Sequence, residues 1–364
     1  MYFKLLPEVY LTIGKNKSLL QNILEKKSLW IKNELAQLII TSELNEPISK
    51  ENMEIFKVLT EKNWGVLSEQ PIFIDKLRLT NVFNNKRFFK QTPIIQFATL
   101  KITDDCNSNC EYCTSNFCPL CFRSGKEKES YLSLEQWKSI ILNLHKFGCR
   151  NILLSGGDAS LYPQTNELCK FMLKLDITPT IYTNGKQKIN LKDNVNIIIG
   201  INEIKDIKLV IDNYKDKKNV VLVSNFNLDE KIKKSLPKSW SYSKFSIDKP
   251  KITKNALINP DIFMFFARRD KNKCLNNKIA ILENGDVYPC FGAYTHGLND
   301  CCVGNTTQDD WIDIVKNLSK KFWDNKIDDD PKCYNCEFRY SCNICLFNDA
   351  SKNCCYDKEA AIWK

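Results

Sequence analysis

Apolar and polar positions along the chain fall into three stretches of different period. In the first, Val9 to Ile13 reads as a strand closed by Gly14, and Ser18 to Lys26 as a short helix or strand. Ile31, Leu35, Leu38 and Ile39 recur at helical spacing. A second helix starts at Ser49, turns Ile55, Phe56 and Leu59 inward, and stops at Asn63-Trp64-Gly65. From about residue 92 to 245, strand and helix alternate, which is the pattern of parallel βα units. An apolar run from Ile94 to Ile102 opens this stretch. Ser133 and Gln136 form an S-x-x-Q capping box ahead of a helix whose buried stripe is Trp137, Ile140, Ile141 and Leu144. Strands are expected at Asn151 to Leu154, Thr178 to Tyr182, Val195 to Ile199 and Asn219 to Val223, with a helix from Glu167 to Leu175. The lysine-rich segment from Lys231 to Lys254 reads as a connector. Beyond it, Ile279 to Cys290 forms a hairpin turning at Asn284-Gly285, and a helical segment runs from Gln308 to Phe322.

The 364 residues suffice for two or three domains, and no run approaches the ~18 apolar residues of a membrane helix. Met1 to Val9 has neither a signal-peptide core nor a cleavage site, so a cytoplasmic location is expected. In a reducing compartment the 17 cysteines point to metal ligation rather than a disulfide framework. They cluster: none precedes Cys106, and ten lie between Cys274 and Cys355. The net charge of +10 is spread as isolated lysines and is weak evidence for a polyanionic partner.

Cys106, Cys110 and Cys113 stand in a C-x3-C-x2-C spacing directly after the run that ends at Ile102, so a strand delivers a tight loop of three thiols. Thiolates suit iron–sulfur clusters, and three of them leave one iron of a four-iron cubane open. This loop, with Tyr112 before its last cysteine, resembles the signature of radical S-adenosylmethionine (SAM) enzymes. The resemblance implies a partial (β/α)6 barrel. It also implies that the open iron chelates the amino and carboxylate groups of SAM, and that reductive cleavage yields a 5′-deoxyadenosyl radical. The family commonly places Gly-Gly-Glu after the second strand, against the SAM amino group; here Gly156-Gly157-Asp158 stands there, one methylene shorter. Thr183-Asn184-Gly185 resembles the turn at the third strand's end, and Asn202 and Ser224 are candidates for the ribose. Cys118 and Cys121 read as structural or substrate-facing, and Cys149 and Cys169 as buried spectators.

The later cysteines, Cys274, Cys290, Cys333, Cys336, Cys342, Cys345 and the Cys354-Cys355 pair, resemble the SPASM extension of such enzymes. By that analogy Cys333, Cys336, Cys342 and Cys355 or Cys354 hold one auxiliary [4Fe–4S] cluster. Cys274, Cys290 and Cys345 hold another, with Cys301 or Cys302 as fourth ligand or an iron left open. Taken alone, paired C-x2-C units also make zinc sites.

The expected architecture is therefore α/β in three parts. Residues 1–90 form a winged-helix-like domain for a leader peptide, 91–245 the radical SAM partial barrel, and 246–364 a linker and SPASM domain. A basic winged helix would suit DNA, but the helix over Lys50 to Lys62 is neutral, which argues against nucleic acid. The resemblance implies a maturase that abstracts hydrogen from a ribosomally made precursor peptide and forms a thioether or carbon–carbon crosslink, with flavodoxin or ferredoxin as electron donor. One alternative is an anaerobic sulfatase maturase, although Phe291 stands where that group carries an Asp base. The other is a winged-helix and zinc-ribbon nucleic-acid binder.

Overall fold

The computed structural model describes residues 1–78, 94–108, 110, 121, 123, 131–244, 260, 262–270, 275–295, 297–331 and 333–342, apart from the side chains of 264, 267 and 270. Tyr112, Cys113, Cys118, Cys274, Cys345, Cys354 and Cys355 lie outside the described residues. By its internal contacts the chain forms two units, Met1–Val82 with Lys251–Asn276 and Asp324–Lys364, and Phe83–Pro250 with Asn277–Trp323.

In the first unit, β1 (Tyr2–Leu5) pairs antiparallel with β5 (Gly65–Ser68), while β2 (Val9–Thr12), β3 (Lys17–Asn22) and β4 (Lys27–Lys32) form an antiparallel meander. Helices α1 (Asn33–Glu43) and α2 (Met53–Glu61) pack with these strands around Phe3, Leu20, Ile39, Phe56 and Trp64. Ile31 is a strand residue of β4 and not the start of the helix. Leu29 and Ile31 alternate with Ser28 and Trp30, and this period of 2 overlaps by chance with the helical spacing of Leu35 and Leu38. In this unit the short strands are thus interleaved with two helices. The segment from Cys333 to Cys342 belongs to the same unit. Lys15 N donates to Asn335 O at 2.8 Å, Arg339 Nη1 donates to Ile13 O at 2.7 Å, and Trp30 meets Phe338 edge-on at 5.1 Å.

The second unit is built on a nine-stranded sheet. Its strands are β6 (Phe97–Thr103), β7 (Asn151–Gly156), β8 (Thr178–Thr183), β9 (Asn196–Ile201), β10 (Val220–Ser224), β11 (Ser241–Lys244), β12 (Lys278–Ile281), β13 (Asp286–Tyr288) and β14 (Gly304–Asn305). β6 to β11 are parallel and lie in sequential order. With right-handed crossovers, strands added in one direction put every connecting helix on one face, the winding of a partial barrel rather than of a doubly wound sheet. The capped helix α3 (Leu134–Lys146) starts at Ser133, whose side chain and that of Gln136 make the expected reciprocal bonds. Trp137, Ile140, Ile141 and Leu144 of α3 join Ala98, Leu100 and Ile102 of β6 in the core.

Two expectations change in this unit. The segment from Lys231 is not simply a connector, because it contains most of a short helix (Glu230–Ser235) and β11, the sixth parallel strand. The sequence Ser241-Tyr-Ser-Lys244 is polar because β11 is an edge strand with little to bury, so the apolar pattern misses it. The hairpin at Asn284-Gly285 forms as expected, with Gly285 at φ +91°. However, β12 pairs in parallel with β6, so the hairpin extends the sheet that bears the Cys106 loop.

Candidate functional site

The carboxyl ends of successive parallel strands deliver the predicted residues to one rim. β6 ends in Asp104, Asp105, Cys106, Asn107 and Ser108; β7 in Gly156, Gly157 and Asp158; β8 in Thr183 and Asn184; β9 in Asn202; β10 in Ser224. Loops at this end of such a sheet are where ligands bind.

The two glycines are needed for the loops to meet. A Cβ at Gly156 would stand 1.9 Å from Thr103 O, and one at Gly157 would stand 2.2 Å from Asp105 O and 2.5 Å from Asp104 O. Their close approach is thus to the backbone that leads into the cysteines. Gly157 N donates to Thr103 O at 3.0 Å and Asp158 N to Asp105 O at 2.7 Å. β6 also carries an irregularity in its register with β7 between Lys101 and Thr103, just before this crossing. Bulges of this kind re-aim the residues that follow.

Asp158 is fully buried, and both its oxygens are engaged. Oδ1 accepts from Ser160 N at 2.8 Å and Oδ2 from Asn184 N at 3.1 Å. The carboxylate therefore ties the second strand's loop to the third. Asn184 in turn donates through Nδ2 to Asn107 Oδ1 at 2.6 Å and lies 3.8 Å from Cys106 Sγ. Asn202 places its side-chain amide directly against Cys110 Sγ. Thr183 is buried, and its hydroxyl accepts from Gly185 N at 3.0 Å. Ser224 is also buried; its hydroxyl donates to Phe226 O at 2.6 Å and lies 3.0 Å from the Tyr242 hydroxyl. Burial, followed by the charge of Asp158, raises the Tyr214 hydroxyl above the ordinary tyrosine range, so it stays protonated and donates to Gln187 O at 2.6 Å.

The donor set fits an iron–sulfur cluster. Cys106 and Cys110 are half-buried thiols at the rim, each with a side-chain amide nitrogen beside its sulfur, and N–H groups turned on thiolates stabilise their charge. The rim also holds buried polar atoms with no hydrogen-bond partner among the described residues, Ser108 Oγ and Asn225 Oδ1, as a site awaiting a polar ligand would. Elsewhere, Cys290, Cys301 and Cys302 are half-buried in the second unit, and Cys333, Cys336 and Cys342 occupy successive tight turns of the first. Among the described residues no three His, Cys, Asp or Glu side chains converge closely enough to hold a metal ion. Cys121 packs with Tyr182 and Val223, and its carbonyl accepts from Gly156 N at 2.9 Å, so it braces the glycine loop. Cys149 and Cys169 are buried in the core as expected, with burial pushing their thiols up to about 11 and about 12 respectively.

Two features were not foreseen. Lys101, fully buried on β6, pairs with Asp104 and Glu283. Its signal was available: Thr99, Lys101 and Thr103 alternate with Ala98, Leu100 and Ile102, whereas parallel strands are usually apolar on both faces. The other is Tyr182, whose ring crosses Gly200 so closely that a Cβ there would stand 2.0 Å from the hydroxyl. A glycine inside a strand marks such an approach.

Over 87 residues the chain is 32% identical to the sporulation killing factor maturation protein SkfB of Bacillus subtilis, a match covering 24% of this chain and 20% of that protein. It is 30% identical over 92 residues to an S-adenosylmethionine-dependent nucleotide dehydratase of Flammeovirga pacifica, covering 25% of this chain and 31% of that one. The chain thus matches less than a third of the length of either relative. Among solved structures, Streptococcus suis SuiB aligns over 95% of this chain and 96% of its own at 13% identity, with a TM-score of 0.45. Residues 100–239 match the model of the Radical SAM superfamily, and this stretch, with the cysteine loop at its first strand's end, is a radical SAM domain.

Proposed function

We propose that the protein is a radical SAM enzyme that modifies a ribosomally made precursor peptide, forming a thioether or a carbon–carbon crosslink. The observation that carries this reading is the convergence of Cys106, Cys110, the Gly156-Gly157-Asp158 loop and Asn184 on one rim, within a domain of that superfamily. The peptide substrate is supported by the local similarity to SkfB, a protein named for maturing the sporulation killing factor.

Cys106, Cys110 and Cys113 would hold the SAM-binding cluster, which would supply hydrogen-abstracting radical chemistry with SAM bound. The chain's own residues do the positioning. Asn184 and Asn202 turn N–H donors toward the two described sulfurs, and Gly156 and Gly157 seat the second loop against the backbone that leads into the cysteines. Asp158 locks the loops of β7 and β8 together, so the rim is preorganised before a ligand arrives. The meander β2–β4 offers a sheet edge to which a leader peptide would add as a further strand. Cys290, Cys333, Cys336 and Cys342, with Cys274, Cys345 and Cys355, would carry auxiliary clusters, and flavodoxin or ferredoxin would supply electrons.

The test is anaerobic reconstitution followed by reduction in the presence of SAM. Bound iron and sulfide and the release of 5′-deoxyadenosine are expected, with loss of two mass units from a co-expressed precursor. Zinc in place of iron, or SAM left intact, would refute the reading.

A further inference from the structure

Lys101 is fully enclosed, although it lies only five positions before Cys106. Its ammonium lies 2.6 Å from Glu283 Oε1 and 2.9 Å from Asp104 Oδ1, and 5.4 Å from the centre of the Tyr294 ring. Burial works against that charge, but the attraction of Glu283 and Asp104 outweighs it and holds the lysine above its ordinary range. Glu283 follows β12, which runs parallel to β6, so it reaches the same end of the sheet as the cysteine loop. There its backbone carbonyl is fixed by Leu132 N at 2.8 Å.

The second carboxylate oxygen of Glu283, Oε2, is buried and accepts no hydrogen bond among the described residues. A buried carboxylate oxygen is costly to leave unmade, so a donor is expected there. Lys101 cannot supply full compensation, because its single charge is divided between two carboxylates. An anion would be repelled and a carbonyl brings no proton, whereas a positively charged nitrogen supplies both donor and charge. The neighbouring rings suit the same guest, with Tyr294 already taking one cation on its face and Tyr288 standing 5.5 Å from it.

We propose that Glu283, positioned by Lys101, anchors a positively charged nitrogen of the substrate, the ammonium or guanidinium of a lysine or arginine side chain. This rests on the peptide-substrate reading above. The α-ammonium of SAM has the same chemistry, so the test separates the two sources.

The reconstituted full-length protein is titrated anaerobically with acetyl-Gly-Lys-Gly-amide and with the same tripeptide carrying norleucine, and binding is read by calorimetry or saturation-transfer NMR. The wild type is expected to prefer the lysine probe by about tenfold or more, with the preference falling as salt rises. Glu283→Gln should abolish the preference and Glu283→Asp should lower it, with affinity for S-adenosylhomocysteine held in both. Equal binding of the two probes, no binding of either, or a preference that survives in Glu283→Gln overturns the proposal. So does a loss of S-adenosylhomocysteine binding in Glu283→Gln, which would hand the oxygen to SAM. Should Glu283→Gln not fold, an unchanged preference in Glu283→Asp overturns it instead. A lysine preference in a protein that leaves SAM intact would support the anchor while refuting the maturase reading.

Discussion

Asp158 stands where radical SAM enzymes commonly carry glutamate, so Asp158→Glu is a substitution toward the family pattern, and the structure expects it to do harm. The aspartate is fully buried, with one oxygen 2.8 Å from Ser160 N and the other 3.1 Å from Asn184 N. A further methylene in a closed site costs about 1–3 kcal/mol through overpacking. The longer side chain cannot keep both backbone donors, and a lost bond to a charged acceptor adds roughly 1.5–3 kcal/mol. Partial relaxation would leave about 2–4 kcal/mol, a fall in Tm of roughly 4–16 °C for a domain of this size. The damage should spread to the cluster, because Asn184 carries the amide beside Cys106. Differential scanning fluorimetry under nitrogen, iron content and the rate of 5′-deoxyadenosine release measure these effects. A variant that melts with the wild type and cleaves SAM as fast or faster would refute the reasoning and show that the carboxylate serves the ligand directly.

Other expectations are independent of that site. Gly200→Ala should drive Tyr182 from its place, costing about 1–3 kcal/mol and loosening Cys121 and Val223, with which that ring packs; unchanged stability would mean the ring swings aside freely. Cys106→Ser and Cys110→Ser should each lower the iron bound and abolish SAM cleavage, and full iron with normal turnover in either would remove that cysteine from the ligand set. Burial raises the Cys149 thiol to about 11, so the unfolded chain ionises first; its stabilising contribution is complete below pH ~9 and is lost as pH climbs toward 11. The wild type should therefore lose more stability than Cys149→Ala across that window, by up to ~2–3 kcal/mol in chemical denaturation; parallel losses would contradict it.

Much of the second unit could be read from the sequence because its determinants are local. The Ser133 and Gln136 capping box, the stripe of Trp137 to Leu144 and the Asn284-Gly285 turn each fix backbone geometry within a few residues. The rim was legible for the same reason, since loops at strand ends follow from the alternation itself. What escaped depends on partners distant in sequence. Lys101 meets Glu283 across 182 positions, and Gly156 is explained by Thr103 and not by its own neighbours. β11 escaped because an edge strand has little to bury, and β4 because two periodicities overlapped at Ile31. The roles of Asp158 and Asn184 as ties between loops follow only from hydrogen bonds that no spacing rule predicts.

The pairing of β12 with β6 determines how firmly the cysteine loop is mounted. Were the chain to stop after β11, β6 would border the sheet, with a row of unpaired amides open to any stray strand. The returning segment covers that flank, so the turn that carries Cys106 springs from within a nine-strand array and not from its border. The short run from β12 to β14 therefore shields the first of the parallel strands, and a fragment lacking it would tend to stack edge to edge.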